Sequence, residues 1–169
     1  KRLGLQDKPG FRYIPIADHM VDDLGRLGRK TGAGWYDYPE GAPPAPSAPV
    51  AELIRETARR EGLSPLTFDA GEVQQRALTA MIEEACAILQ EGIAARPADI
   101  DLVMIHGYAF PRWRGGLMHY ADTIGAAELV RRIETYRAED PLSWNVPDLL
   151  RDLAQSGRDF ASLNQASGE

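Results

Sequence analysis

Two stretches of the chain carry residue types that could bind an anion or do acid–base chemistry, and both are rich in glycine. They cover residues 28–36 and 106–116, and each interleaves glycines with basic and aromatic side chains. Closely spaced glycines let a backbone adopt positive φ or approach another surface, while the rings supply apolar anchors. We therefore predict a structural or interface role for Gly28, Arg29, Lys30, Gly32, Gly34, Trp35 and Tyr36 and, in the second stretch, for Gly107, Tyr108, Phe110, Pro111, Arg112, Trp113, Arg114, Gly115 and Gly116.

The first stretch contains glycines and a Lys-Thr pair, as nucleotide-binding loops do. A phosphate-binding loop of the form Gly-x-x-x-x-Gly-Lys-Thr has a glycine before its lysine and a strand leading into it. Here Arg29 precedes Lys30, and a helix is predicted upstream. The dinucleotide pattern Gly-x-Gly-x-x-Gly fails as well, because Asp37 stands where its third glycine should be. A packing turn is the preferred interpretation.

The histidines offer little for metal or acid–base chemistry. His19, His106 and His119 lack the i, i+4 spacing of a zinc site on a helix, and the chain has no pair of cysteines. His106 could form a base dyad with Glu83 or Glu84, but a histidine at the end of a helix more often caps it. We predict no metal site at these histidines, and a capping role for His106.

The exposed candidate for binding is the run Arg112-Trp113-Arg114. Guanidinium groups bind phosphates or carboxylates through forked hydrogen bonds, while an indole ring can stack. A phosphate ligand and a carboxylate on a neighbouring domain both remain open as partners. We prefer an interface role for this run.

Helices must position these residues, because apolar side chains recur at helical spacing along most of the chain. Asp69 with Glu72 forms a capping pattern at the start of the longest helix, where Cys86 is expected to be a buried structural thiol. Strands should be nearly absent, since no Asn-Gly or Asp-Gly hairpin signal occurs. The predicted fold class is all-α, with helices over residues 15–27, 50–61, 70–92, 97–107, 117–124, 126–139 and 147–156.

The chain has one internal boundary and one internal repeat. Five prolines within residues 39–49 predict a stiff linker. Residues 20–29 align with residues 149–158, each as a short helix that runs into Gly-Arg. We interpret this as the tail of one helical unit followed by a full second copy. The predicted domains are residues 1–38, the linker 39–49 and residues 50–169.

Composition excludes several classes of protein. The 169 residues are 44% hydrophobic and 26% charged, as in an ordinary soluble globular protein. The net charge of −6 argues against nucleic acid or an anionic membrane as partner. A single cysteine fits a reducing compartment, and the chain ends in no peroxisomal tripeptide, so a cytoplasmic location is expected. Because it opens at Lys1 without a leader, we expect a fragment of a longer protein.

An ordered set of motifs gives a more specific indication. The set is similar to the C-terminal region of the 3-hydroxyacyl-CoA dehydrogenases, and more narrowly to the multifunctional fatty-acid β-oxidation enzymes of the peroxisomal bifunctional type and their bacterial relatives. The resemblance covers nearly the whole chain. It rests on Gly28-Arg-Lys-Thr-Gly32-x-Gly34-Trp-Tyr, Glu84-Ala85, Glu91-Gly92, Arg96-Pro97, Asp99-Ile-Asp101, Gly107-Tyr108-x-Phe110-Pro111, Gly115-Gly116, Tyr120-Ala121 and Gly125.

The resemblance implies a parent enzyme with a hydratase region, a Rossmann domain that binds NAD, and two tandem helical domains. Such an enzyme oxidises a 3-hydroxyacyl-CoA, using a His–Glu pair that would precede Lys1. The family's active-site Asn lies in the first helical domain, and Glu83 takes its place in the second. Catalytic, cofactor-binding and metal-binding residues are therefore expected to be absent here.

The partners implied for this chain are the Rossmann and hydratase domains of the parent and, within the parent, the acyl-CoA substrate. The CoA phosphates are then one candidate ligand for the Arg112–Arg114 run. Whether the chain forms a homo-oligomer is left open. The alternative is a free-standing helical module that binds a partner or an acyl-CoA without catalysis.

Overall fold

The computed structural model describes residues 13–64 and 67–165, and most of these residues lie in helices. The chain divides into two units, Lys1–Thr67 and Phe68–Glu169, called here the N-terminal and C-terminal units. Within the described residues there are seven α-helices and one sheet of two short strands. The all-α prediction is confirmed. No helix in the described ranges is long and apolar enough to cross a membrane.

The N-terminal unit pairs two helices with a small sheet. Strand β1 lies antiparallel to β2, with Tyr36 opposite Pro46 and Asp37 opposite Ala45. Helix α1 packs against α2, and Met20 and Val50 are buried. The elements are α1 (Ile16–Asp22), a 3-10 turn (Arg29–Thr31), β1 (Tyr36–Asp37), β2 (Ala45–Pro46) and α2 (Ala48–Arg60).

The C-terminal unit is a helical bundle around one apolar core. Its elements are α3 (Ala70–Gln90), α4 (Pro97–Gly107), a 3-10 turn (Arg112–Arg114), α5 (Leu117–Ile124), α6 (Ala126–Glu139), α7 (Asp148–Ser156) and a 3-10 turn (Ala161–Gln165). All five helices contribute buried side chains, including Ile82, Cys86, Ile100, Leu117, Met118, Leu129, Ile133, Leu150 and Leu153. Each such aliphatic side chain contributes about 1.5–3 kcal/mol when fully buried.

Local signals set the ends of several helices as predicted. The Asp69 carboxylate accepts a hydrogen bond of 2.8 Å from the Glu72 amide at the start of α3. Pro97 occupies the first turn of α4, and Gly157 ends α7 with a left-handed backbone.

Side chains from distant elements cap three further segments of the C-terminal unit. Asp101 of α4 accepts from the first amides of α5, and Asp122 of α5 accepts from Phe160 at 2.7 Å. Asn164 in turn accepts from the Ala98 amide at the start of α4, at 2.9 Å. These bonds link α4 to α5, α5 to the C-terminal turn, and that turn back to α4.

The first predicted helix was too long. Residues 15–27 were expected to be helical up to Gly28, but α1 ends at Asp22. Gly25 adopts φ 62°, and the Arg26 amide returns to the Met20 carbonyl at 2.8 Å. Gly25 therefore ends the helix, because a left-handed glycine closes its last turn.

The two segments aligned by the predicted repeat have similar helix ends in the structure, but three residues out of the predicted register. Pro15 and Pro147 are the N-caps of α1 and α7. The spacing from Pro15 to Gly25 equals the spacing from Pro147 to Gly157. The φ value is 62° at Gly25 and 65° at Gly157. Each glycine is followed by arginine, so the equivalent Gly-Arg pair in the first copy is Gly25-Arg26 and not Gly28-Arg29.

The two compact units differ from the predicted domain limits of 1–38, 39–49 and 50–169. Helix α2 falls in the N-terminal unit because it packs on α1, and the division comes after Thr67. The Pro-rich segment is also more than a linker, since Ala45–Pro46 pairs with β1. The assignment of domains by repeat stays a prediction.

Candidate functional site

The first glycine-rich stretch folds back on itself. The Gly28 amide donates to the Ala33 carbonyl at 2.7 Å, and the Tyr38 amide donates to the Gly32 carbonyl at 2.8 Å. A Cβ on Gly34 would lie 2.8 Å from the Gly28 Cα. Real Cβ atoms do not come so close, so this approach requires glycine at position 34.

Arg26, which the sequence did not single out, holds this turn together. Its side chain is 9% exposed, and its guanidinium donates to the Gly34 carbonyl at 2.7 Å and to the Asp37 carboxylate at 2.5 Å. The hydrogen bond from Arg26 is the main cause that lowers the pKa of Asp37. The sequence signal that could have identified Arg26 is its position directly after Gly25, the glycine that ends α1.

The other members of the first stretch lie at the surface of the turn. Arg29 and Lys30 are exposed, and the Arg29 guanidinium lies 5.8 Å from the centre of the Tyr38 ring. Trp35 and Tyr36 are each 51% exposed. The indole of Trp35 also lines a cavity of about 230 Å³ beside α1. Their interface role stays a prediction.

The second glycine-rich stretch forms a tight connection between α4 and α5. Phe110 is buried, and its ring centre lies 6.5 Å from that of Tyr120. A Cβ on Gly115 would lie 2.4 Å from the ring of His119, and one on Gly116 would lie 2.4 Å from Asp101 atoms, including the Asp101 Cβ. The two glycines thus let the backbone pass between α4 and α5.

Asp101 is a second residue whose role the sequence did not predict. One carboxylate oxygen accepts from the Met118 amide at 2.6 Å, and the other accepts from the His119 amide at 3.3 Å. A carboxylate at the first turn of a helix satisfies otherwise unpaired amides and complements the helix dipole. Burial is the main cause that raises the pKa of Asp101, opposed by these two bonds.

The run Arg112-Trp113-Arg114 stands out from this connection. Trp113 is 79% exposed and Tyr108 is 74% exposed, while Arg114 is half-buried. The Arg114 guanidinium carbon lies 4.4 Å from the Trp113 ring centre and 4.3 Å from the Tyr120 ring centre. One cation is therefore held against two aromatic rings.

The residues considered for acid–base chemistry are not brought together. The Glu83 carboxylate accepts from the Asn145 amide at 2.7 Å, and its pKa is raised chiefly by burial. His106 is exposed, and no hydrogen bond joins it to Glu83 or Glu84 in the part of the chain that the structure describes. Glu83, Glu84 and Glu91 line a groove of about 570 Å³ beside α3.

Cys86 is buried in the core, and burial, with a smaller contribution from the Glu83 charge, raises the pKa of its thiol to about 12. The thiol therefore stays protonated and unreactive near neutral pH. Among residues 13–64 and 67–165, no three His, Cys, Asp or Glu side chains are grouped so as to hold a metal ion.

Comparison with known proteins gives a consistent result. Residues 71–162 match the family model described as 3-hydroxyacyl-CoA dehydrogenase, C-terminal domain. The chain is 38% identical to a peroxisomal bifunctional enzyme from Homo sapiens and 39% identical to one from Cavia porcellus, each over 153 residues and 86% of this chain. It is 40% identical over 144 residues, 84% of this chain, to the enzyme of that name from Danio rerio.

These alignments cover 21%, 20% and 20% of the three relatives, so the chain spans about a fifth of their length. The matched family region lies wholly within the C-terminal unit, from the first turn of α3 to the last 3-10 turn. By this match and by its helical fold, the chain belongs to the 3-hydroxyacyl-CoA dehydrogenase C-terminal domain family.

Proposed function

We propose that this chain is the C-terminal part of an NAD-dependent 3-hydroxyacyl-CoA dehydrogenase of fatty-acid β-oxidation, and that it serves there as a scaffold and as a domain or subunit interface. The observation that carries the proposal is the family match over residues 71–162. The longer protein would convert a 3-hydroxyacyl-CoA to the 3-ketoacyl-CoA. The catalytic residues would lie in the domains that precede this chain.

The scaffold role is supported by what the polar side chains do. Asp101 and Asp122 accept from backbone amides of other elements, and Arg26 donates to backbone carbonyls. Buried or half-buried groups used in this way hold segments in place, and they are not free to exchange protons with a substrate.

NAD is implied by the resemblance to the family, and the glycine-rich turn over residues 28–38 does not fit it. A dinucleotide site needs free amides at the start of a helix after the glycine-rich turn. Here the Gly28, Gly34 and Tyr38 amides donate to carbonyls within the turn itself, and strand β1 follows instead of a helix. As the resemblance implies, NAD would bind in the Rossmann domain of the longer protein, where the acyl-CoA would also be oxidised.

The test uses the full-length protein and a version truncated after Thr67. Full-length protein should form NADH from NAD and a 3-hydroxyacyl-CoA, and the truncated protein should lose thermal stability and activity together. Unchanged activity and melting temperature in the truncated protein would contradict the scaffold role.

The compartment is a separate proposal. The names of the relatives describe those proteins as peroxisomal. For this chain we propose the cytoplasm, because its single cysteine allows no disulfide within the chain and fits a reducing compartment. Cell fractionation with an antibody to the chain tests this, and recovery in an organelle would contradict it.

A further inference from the structure

We propose that the Arg112-Trp113-Arg114 run, with Tyr108 beside it in sequence, docks on a carboxylate-bearing surface of a folded domain that precedes this chain in the longer protein. This inference rests on the proposed interface function and names the chemistry of the partner. It does not depend on the catalytic activity of that protein.

The shape of the run favours a protein partner over a small ligand. Trp113 sits on a 3-10 turn and leaves 79% of its surface in solvent. Small ligands are held in concave sites that enclose most of their surface, whereas a protruding ring can fill a pocket on another protein. Exposed Trp, Tyr and Arg side chains are also the types that contribute most to protein interfaces.

Several residues constrain the backbone of this run. Ala109 adopts φ 55°, Pro111 restricts the turn, and Gly115 and Gly116 adopt φ 74° and 116° against their neighbours. Phe110 anchors the turn in the core. A presenting loop that is already ordered loses less entropy on binding, which favours a fixed interface.

The stacking of Arg114 determines which ligand it can take. Trp113 and Tyr120 lie 4.4 and 4.3 Å from the guanidinium carbon, so aromatic rings contact the cation. Its N–H groups donate in the guanidinium plane, and none is bonded to a carboxylate in the described part of the chain. A guanidinium held in this way is suited to a carboxylate that approaches its edge.

Charge favours an acidic partner. Between Asp101 and Asp122 the formally charged residues are Arg112 and Arg114, both positive, in a chain of net charge −6. Complementary charge on the facing surface would steer docking and fix its register.

The first experiment is hydroxyl-radical footprinting of the isolated chain and of the full-length protein. Trp113 should be oxidised readily in the isolated chain and strongly protected in the full-length protein. In the full-length Trp113→Ala variant, Tyr108 should be oxidised nearly as fast as in the isolated chain, because the aromatic anchor of the interface is lost. Arg137→Glu is the matched control, because Arg137 is exposed on α6 and should not affect protection at Tyr108. Equal oxidation of Trp113 in both proteins would overturn the inference.

The second experiment identifies the partner group. Arg112→Lys supplies an amine that a carbodiimide joins directly to a contacting carboxylate. The expected product links residue 112 to an Asp or Glu of a preceding domain. A link to a second copy of the chain, found with mixed isotopes, or no link at all, would overturn the inference.

These outcomes are separable from failure of the proposed function. Formation of NADH by wild-type full-length protein tests the proposed function alone, whereas protection of Trp113 and the cross-link test the docking surface whatever the activity.

Discussion

Gly116→Ala should be one of the most destabilising alanine substitutions at a glycine in this chain. Gly116 is buried at the start of α5 with φ 116°, and an added Cβ would lie 2.4 Å from the Cβ, Cγ and Oδ1 atoms of Asp101. A change of the Asp101 rotamer cannot relieve contact with its own Cβ. Helix α4 and the start of α5 must therefore separate.

The expected cost has two parts. Gly116 combines φ 116° with ψ 177°, a conformation that costs a non-glycine residue roughly 1–3 kcal/mol. Separation also breaks the bonds from Asp101 to the Met118 and His119 amides, and loss of such a cap costs about 0.5–2 kcal/mol. Together these predict a loss of roughly 1.5–5 kcal/mol in the free energy of unfolding.

Urea unfolding followed by circular dichroism measures this loss, and two further variants isolate its cause. Gly125 adopts φ 91° with nothing within 4 Å of an added Cβ, so Gly125→Ala should cost the conformational part alone, roughly 1–3 kcal/mol. Asp101→Gly removes the atoms that a new Cβ at position 116 would meet, so Gly116→Ala made in that background should cost about as much as Gly125→Ala. Equal costs for Gly116→Ala and Gly125→Ala in the wild-type background would refute the reasoning.

Three smaller predictions concern other parts of the chain. Arg26→Met should lower the free energy of unfolding by about 1.5–3 kcal/mol and speed amide exchange at Tyr38. Lys30→Met, at an exposed position, should change it by less than about 0.5 kcal/mol. Equal melting temperatures for the two variants would contradict the role of Arg26. Two arginines lower the pKa of Glu128 from 4.5 to about 2, so the stability it contributes is present above pH 4.5 and is lost as the pH falls toward 2. Because Glu128 and Arg132 are partly exposed, Glu128→Gln should lower the free energy of unfolding by only about 0.5–1 kcal/mol at pH 7 and by nothing at pH 2. A destabilisation that grows as the pH falls would contradict this prediction. Cys86 should react with a thiol reagent only after urea unfolding, and rapid labelling of the native chain would show that it is not buried.

The sequence predicts those elements whose signals are local. Helices α3 and α4 begin where Asp69 and Pro97 indicate, because capping and proline geometry depend on a few neighbouring residues. The end of α1 was misplaced because several glycines follow it, and only the structure shows that Gly25 closes the last turn.

The roles of Arg26 and Asp101 could not be predicted in the same way. Each acts on backbone groups that the fold brings near, such as the Met118 amide beside Asp101, and helical periodicity contains no information on those pairings. The glycines of the second stretch were identified from sequence, but the atoms that require them belong to α4 and α5.

The most direct test of the account is an assay of the isolated chain with acetoacetyl-CoA and NADH. The account predicts no consumption of NADH above the blank, while the full-length protein consumes it under the same conditions. Sustained turnover by the isolated chain would contradict the claim that its residues support the reaction without carrying it out.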